Sequence, residues 1–160
     1  MLRARCDFLQ RCGPYGSLLK QLEVVTKSSG SRESLLHVVD LFAFLDVAFR
    51  QCAAFRSFLA ERHSRRPSAP RQPWGLVLYA DEVVPGAQLA HRNDRTFWVI
   101  YASFMEFGAV TLSNEHAWIT LGQIRTNQVE NVVSGMSQVF GAMLRSIFVD
   151  RSIPAVLECI

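Results

Sequence analysis

The sequence lacks the residue patterns that mark most metal, nucleotide and hydrolase sites. Its four cysteines form no C-x-x-C pair and its four histidines show no zinc-ligand spacing, so neither a zinc knuckle nor a disulfide framework is supported. No glycine-rich phosphate loop precedes either long predicted helix. Ser103 and Ser137 lack the Gly-x-Ser-x-Gly context of a hydrolase nucleophile. Nucleotide-binding proteins and serine hydrolases are therefore unsupported classes.

Long apolar runs and a strong excess of one charge are also missing. The longest apolar stretch, residues 97–112, is interrupted by Glu106, and the N-terminus shows no signal-peptide run. The formal net charge of +3 is too small to identify a nucleic-acid partner. Because 49% of the residues are hydrophobic and 19% are charged, we expect a folded domain rather than disorder. The expected location is intracellular, with reduced thiols and no membrane association.

The chain divides into four predicted segments. Residues 1–32 are poorly specified, apart from a short helix predicted over residues 17–27. Residues 33–62 carry apolar side chains at helical spacing and predict one long helix or two short ones. Residues 63–73 form a basic, proline-rich linker, and residues 74–160 carry strand patterns and an amphipathic helix.

The arginines in and beside this linker are the candidate nucleic-acid contacts. Arginine pairs with phosphate through two parallel hydrogen bonds, and each neutralised phosphate releases a counterion, so DNA is a candidate partner. The competing interpretation is a solvated tether between two folded parts, and the sequence alone favours the tether. The four candidate residues are Arg62, Arg65, Arg66 and Arg71.

An acidic pair follows the most apolar strand pattern in the chain. Residues 76–79 form a continuous apolar run, typical of a strand covered on both faces, and Asp81 and Glu82 stand just beyond it. Pro85 and Gly86 suit the central positions of a type II turn. An acidic pair beside a turn is more often solvated than metal-bound, because its carboxylates can accept hydrogen bonds from nearby backbone amides.

Further strands and a helix follow the acidic pair. A second strand is predicted over residues 96–107 and a third over residues 117–125. Residues 127–148 have apolar side chains at i, i+3, i+4 and i+7, which predicts a helix packed on a sheet. A fourth strand, interrupted by Pro154, is expected over residues 153–160. This order predicts an α/β (α+β) fold whose β-β-β-α-β unit matches the first half of an RNase H-like domain.

Two motifs stand out in the strand region. Residues 78–89 fit the pattern L-Y-x-D-E-x-x-P-G-x-x-L, and residues 95–108 fit R-x-F-x-x-x-Y-x-S-F-x-E-F-G. Both resemble motifs of a family of uncharacterised, transposon-derived proteins of eukaryotic genomes. The resemblance covers roughly residues 74–148. Together with the strand order, it implies an RNase H-like core of the transposase and integrase type.

The resemblance also implies a metal site. RNase H-like domains hold two hard cations, Mg²⁺ or Mn²⁺, about 4 Å apart between carboxylates of their first and fourth strands. Asp81 is then the first metal and catalytic carboxylate, Glu82 its neighbour and Glu158 a second ligand. Only Asp150 and Glu158 follow the long helix, whereas a catalytic set usually needs a third carboxylate. We therefore expect a truncated, catalytically inactive fragment of a transposase- or integrase-like protein, with the nucleus as one candidate location.

A second hypothesis is a non-enzymatic interaction module. The apolar face of residues 35–59 is too wide for an isolated surface helix, so it needs to be buried against another element or another chain. Self-association or partner binding through this face would meet that need. A carboxylate cluster around Asp81 favours the first hypothesis, and an isolated Asp81 favours the second.

Overall fold

The protein is described by a computed structural model over residues 12–28, 32–85 and 96–150. Its strands are β1 Cys12–Gly13, β2 Gly16–Ser17, β3 Leu19–Val25, β4 Arg32–Val39, β5 Leu76–Val83, β6 Phe97–Phe104 and β7 Ile119–Arg125. Its helices are α1 Leu41–Gln51, α2 Ala53–Arg65, α3 Ala109–Leu112, α4 Thr126–Asn131 and α5 Gly135–Phe148, with short 3₁₀ turns at Met105–Phe107 and Glu115–Ala117. The described part of the chain is a mixed α+β fold, which confirms the predicted class at this level.

Five of the strands form one antiparallel sheet in the order β3-β4-β7-β6-β5, and β1 and β2 form a separate two-stranded ribbon. Strands β5 and β6 pair along their whole length, from Leu76 opposite Phe104 to Val83 opposite Phe97. Strand β7 pairs with β6 on its other side, with one register shift beside Tyr101. The consecutive strands β5, β6 and β7 therefore form a meander, and the β3–β4 hairpin extends the sheet beyond β7.

The main core lies between one face of this sheet and helix α5. Because side chains alternate along a strand, roughly every second residue of each strand turns toward the helix. Val139, Met143 and Ile147 of α5 are buried against that face. The buried sheet residues of this core are Leu22, Val24, Leu36, Val38, Ile100, Ala102, Ile119, Leu121 and Ile124.

Two stretches that the sequence predicts as helix are strands. Residues 17–27 contain β3, and residues 33–39 belong to β4. Along β3, Leu22 and Val24 are buried while the residue before each of them is exposed, which is the period of a half-buried strand. The helical prediction is wrong here because short apolar segments fit both spacings, and pairing between β3 and β4 stabilises the strand.

The helix predicted over residues 127–148 is divided into α4 and α5. Its interruption lies at Val132, which has an extended backbone and forms an isolated bridge with Thr26 after β3. Helix α5 then begins at Gly135, whose φ of 55° lies in the left-handed region that favours glycine. The contact with the end of β3 thus overrides a helical pattern that is continuous in the sequence.

Asp40 fixes the start of helix α1. Its Oδ1 accepts hydrogen bonds from the backbone N–H groups of Phe42 and Ala43 at 3.1 and 2.9 Å, and its Oδ2 lies 2.6 Å from Nζ of Lys20 on β3. Because Asp40 is buried, the cap and the ion pair together hold α1 against the sheet. The helix ends at the extended residue Cys52, so the part of the predicted helical segment that follows β4 forms two helices, α1 and α2.

Replacement of Asp40 by alanine is expected to lower the free energy of unfolding by about 2 kcal/mol, because it removes a helix cap and the partner of Lys20. Urea denaturation followed by circular dichroism measures this loss. Asp46→Ala on the same helix is the matched control, since Asp46 forms an i,i+4 pair with the exposed Arg50 that contributes about 0.5 kcal/mol. Equal destabilisation by the two substitutions would contradict the role assigned to Asp40.

Candidate functional site: the open face of the sheet

The acidic pair lies within strand β5 rather than after it. Asp81 stands opposite Val99 and Glu82 opposite Trp98, so the two side chains point to opposite faces of the sheet. Oε1 of Glu82 accepts a hydrogen bond of 2.7 Å from Oγ1 of Thr126 at the start of α4. Asp81 is exposed on the face away from α5. The pair therefore cannot act as two adjacent ligands of one ion.

The described residues do not fit a two-metal site. Within residues 12–28, 32–85 and 96–150, no group of three or more His, Cys, Asp or Glu side chains could hold a metal ion. Across the sheet from Asp81 come Val99 and then Gln123, which supply one amide oxygen and no carboxylate. Glu158 and the predicted strand over residues 153–160 lie outside the described residues, so the approach of Glu158 to Asp81 stays a prediction.

Aromatic side chains lie beside Asp81 on the same face. Tyr79 stands directly opposite Tyr101, and their rings stack with centroids 6.2 Å apart and planes at 21°. The ring of Trp118, just before β7, lies 6.1 Å from that of Tyr79. Nε1 of Trp118 donates to the carbonyl oxygen of Leu112 at 3.0 Å, which fixes the indole. We call Tyr79, Tyr101 and Trp118 the aromatic row; the Tyr79 side chain is 49% exposed.

Polar side chains form a second row across the same face. Gln21 of β3 pairs in register with His37 of β4, and Gln123 of β7 lies two positions across from Asp81, beyond Val99. The pairing of Val38 with Gly122 places His37 next to Gln123. All four of these polar side chains are exposed, whereas Val99, which lies between Asp81 and Gln123, is buried. We call Gln21, His37, Gln123 and Asp81 the polar row, and the two rows together the open sheet face.

The alternation of residues along β5 indicates an exposed face, although the interpretation of residues 76–79 as one apolar run leaves it out. Leu78 and Ala80 pack toward the core, whereas Tyr79 and Asp81 alternate with them and are exposed. The prediction that this strand is covered on both faces is therefore wrong. Its period-two alternation is typical of an antiparallel strand with one face in solvent.

Two of the four candidate arginines, Arg62 and Arg66, contact residues that are distant in the sequence. Arg66 Nη1 lies 3.2 Å from Oε1 of Glu106, a carboxylate whose side chain is only 2% exposed. The half-buried Arg62 donates to Oγ1 of Thr111 at 3.2 Å and lies over the ring of Phe58. These contacts tie helix α2 to the segment that follows β6.

The other two candidate arginines reach solvent. Arg65 pairs with Glu61 one turn earlier on α2, and its side chain is 66% exposed. Arg71 is exposed and takes part in none of the ion pairs formed by the described residues. Arg71 can therefore meet a phosphate without breaking an ion pair among the described residues, whereas Arg65 has to give up its exposed pair with Glu61.

The predicted linker is packed against a cluster of aromatic rings. The Phe58 ring meets that of Phe107 at 4.9 Å and 73°, and Trp74 lies 5.8 Å from Phe104. Nε1 of Trp74 donates to the carbonyl oxygen of Arg66 at 2.8 Å. We call Phe58, Trp74, Phe104 and Phe107 the aromatic corner. It anchors the residues before β5, which sequence reasoning treats as a free tether.

The apolar face predicted over residues 35–59 is largely used within the protein. Leu41 and Ala43 of α1 are buried, and Phe42, Phe44 and Leu45 pack against the main core. Helix α2 has no buried residue and contacts the aromatic corner through Phe58. Phe49 is 38% exposed. The need for a second chain to cover this face, on which the interaction-module hypothesis rests, is thereby much reduced. Among the described residues, Asp81 belongs to no group of three or more side chains that could hold a metal ion.

No protein-family model, curated protein or solved structure matches this chain. The resemblance to transposon-derived proteins therefore stays a prediction. Among the described residues, no helix is long and apolar enough to cross a membrane.

Proposed function

We propose that the chain is a nucleic-acid-binding unit of transposase or integrase ancestry that has no catalytic activity in this form. The observation that carries the proposal is the open sheet face, where aromatic rings and hydrogen-bonding side chains lie together in solvent beside Asp81. Such a surface can bind nucleic acid, whereas phosphodiester transfer by two metals needs several carboxylates around one point. The nucleus is then the proposed location.

The order of elements supports an RNase H-like ancestry. Strands β5, β6 and β7 form an antiparallel meander, and α5 follows them and packs on one face of the sheet. Strand β5 is at an edge of the described sheet, so residues 153–160 could pair there as a fourth strand. A return from β7 through α5 to that edge would be a crossover between parallel strands, a kind of connection that is right-handed in nearly all folds. The β3–β4 hairpin would then be an addition to the ancestral unit.

The protein is expected to bind short labelled DNA with a dissociation constant of about 1–100 µM at about 50 mM salt, and to lose affinity steeply as salt increases, because bound phosphates release counterions. Fluorescence anisotropy at several salt concentrations measures this. The double variant Arg65→Ala/Arg71→Ala should reduce the slope of log K against log salt by about 1–2. Arg145→Ala on α5, which lies on the other side of the sheet, is the matched control and should leave the slope unchanged.

Two results would contradict the proposal. Absence of DNA binding at about 100 µM protein in low salt would remove the nucleic-acid function, since even non-specific binding falls within that range. Cleavage of the DNA in the presence of Mn²⁺, if it is lost in Asp81→Asn, would show a catalytic site and overturn the inactive state. In that case Asp81 would hold the ion together with Glu158.

A further inference from the structure

We infer that the open sheet face binds single-stranded nucleic acid, with unpaired bases stacked on the aromatic row and their edges bonded to the polar row. The inference rests on the proposed function and names its substrate class. It assigns base stacking to Tyr79, Tyr101 and Trp118. Asp81 would form hydrogen bonds with bases, a role that needs no metal.

The aromatic row has the geometry of a stacking surface. Tyr79 and Tyr101 are directly opposite on neighbouring strands, with their ring planes within 21° of each other. Both tyrosines are on strands of the sheet, and Trp118 is held by its hydrogen bond to Leu112, so little side-chain entropy is lost when a base stacks. A base has a π face whatever its sequence, and base–aromatic stacking is the usual source of affinity for single strands.

The polar row offers partners for the edges of such bases. Asp81 accepts hydrogen bonds, while Gln21 and Gln123 both donate and accept. Carboxylates accept from the exocyclic amino group of cytosine, and glutamine pairs with adenine. In a duplex the base faces are stacked and their pairing edges are occupied, so a broad sheet surface meets them only in an unpaired strand. The combination of rings and mixed donors and acceptors therefore fits unpaired bases.

Charge supports this occupant. Arg125 at the end of β7 stands opposite Phe97, two residues beyond Gln123 on the same face of the sheet, and is exposed. Phe97 is four residues from Tyr101 along β6, about 13 Å at about 3.3 Å per strand residue. A phosphate of a strand stacked on the aromatic row can therefore pair with Arg125, whose charge complements it. A proline-rich peptide also binds exposed aromatic rings, but it supplies no phosphate for Arg125.

Substitution of Tyr79 tests the inference directly. Tyr79→Ala is expected to weaken binding of an unpaired oligothymidine of about 15 nucleotides roughly tenfold, whereas Tyr79→Phe, which keeps the ring, should bind like the wild type. Anisotropy gives the affinities, and a duplex of the same length is the comparison ligand. Quenching of tryptophan fluorescence by the oligonucleotide should be reduced in Trp118→Phe.

A second variant, at Asp81, tests the inference while Tyr79 is kept. Asp81→Ala should lower the ratio of oligocytidine to oligothymidine affinity about fivefold, because only cytosine offers an exocyclic amino donor. Glu130→Gln removes one exposed charge on α4 and is the control, with no change in the ratio.

The outcomes separate the inference from the proposed function. Wild-type binding of single strand and duplex with no effect of Tyr79→Ala would overturn the inference and leave the proposed function standing. Absence of binding to either form would overturn both. A proline-rich peptide that quenches Trp118 while the oligonucleotide does not would also overturn the inference, because it identifies a protein ligand for the same row.

Discussion

Shortening Ile100 to alanine is expected to lower the free energy of unfolding by about 3–4 kcal/mol. Ile100 has no exposed surface and stands near the middle of β6, between Ala80 of β5 and Gly122 of β7. Removing three buried carbon atoms loses their transfer free energy and leaves a cavity that the paired strands on both sides cannot close. A domain of this size is stabilised by about 5–15 kcal/mol in total, so the loss would be a large part of it.

A graded series makes this prediction specific. Ile100→Val removes one carbon and should cost about 1 kcal/mol. Val110→Ala is the surface control, because Val110 of α3 is 83% exposed, and it should change the free energy of unfolding by less than about 0.5 kcal/mol. Urea denaturation with an unchanged m-value gives all three numbers. A loss of less than about 1 kcal/mol in Ile100→Ala would contradict the central position of this side chain.

The meander of β5, β6 and β7 could be predicted from the sequence because its strands are rich in β-branched and aromatic residues. The predicted second and third strands, residues 96–107 and 117–125, overlap β6 and β7 almost completely. Strands β3 and β4 could not be predicted in the same way. Each is short, and its identity depends on the other strand of the hairpin and, for β4, on β7, which is more than 80 residues further along the chain.

Only part of the candidate site could be predicted from the sequence. Asp81 could be selected because an acidic residue at the end of an apolar run is conspicuous, and the structure places it on the open sheet face. Tyr79, Tyr101 and Trp118 could not be distinguished from core aromatics, since a ring of the same type fills a core or a surface row equally well. Their grouping depends on strand register, and the pairing of Tyr79 with Tyr101 is a long-range property.

The basic segment is a further case in which contacts between residues distant in the sequence could not be predicted. A run of arginines and prolines predicts a solvated tether, but Arg66 is paired with Glu106, which is 40 residues away in the sequence. Glu106 also accepts a hydrogen bond of 2.9 Å from the backbone N–H of Gly75. No local sequence pattern predicts that Glu106 is buried or that its two carboxylate oxygens contact different segments of the chain. Stability and the salt dependence of DNA binding together distinguish a phosphate contact of Arg66 from an internal one.

Replacement of Arg66 by alanine is expected to lower the free energy of unfolding by about 2–3 kcal/mol. The substitution leaves Glu106 buried with the Gly75 N–H but without its counter-charge. The loss should be smaller than for a fully buried pair, because the Arg66 side chain is itself 56% exposed and the Gly75 bond is kept. Arg65→Ala is the matched control: its pair with Glu61 is exposed on both sides and should contribute less than about 1 kcal/mol.

The double variant Arg66→Met/Glu106→Gln distinguishes an internal role from a nucleic-acid role for Arg66. It removes both charges together, so no uncompensated carboxylate stays buried, and the amide can still accept a hydrogen bond from Gly75. Part of the stability lost in Arg66→Ala should therefore return, since the buried charge is removed but the amide NH2 group introduced at position 106 gains no acceptor from the methionine introduced at position 66. If Arg66 acts within the fold, the double variant should also bind DNA with the wild-type salt dependence, measured as for Arg65 and Arg71. Restored stability combined with a slope reduced by about 1 would instead identify Arg66 as a phosphate contact.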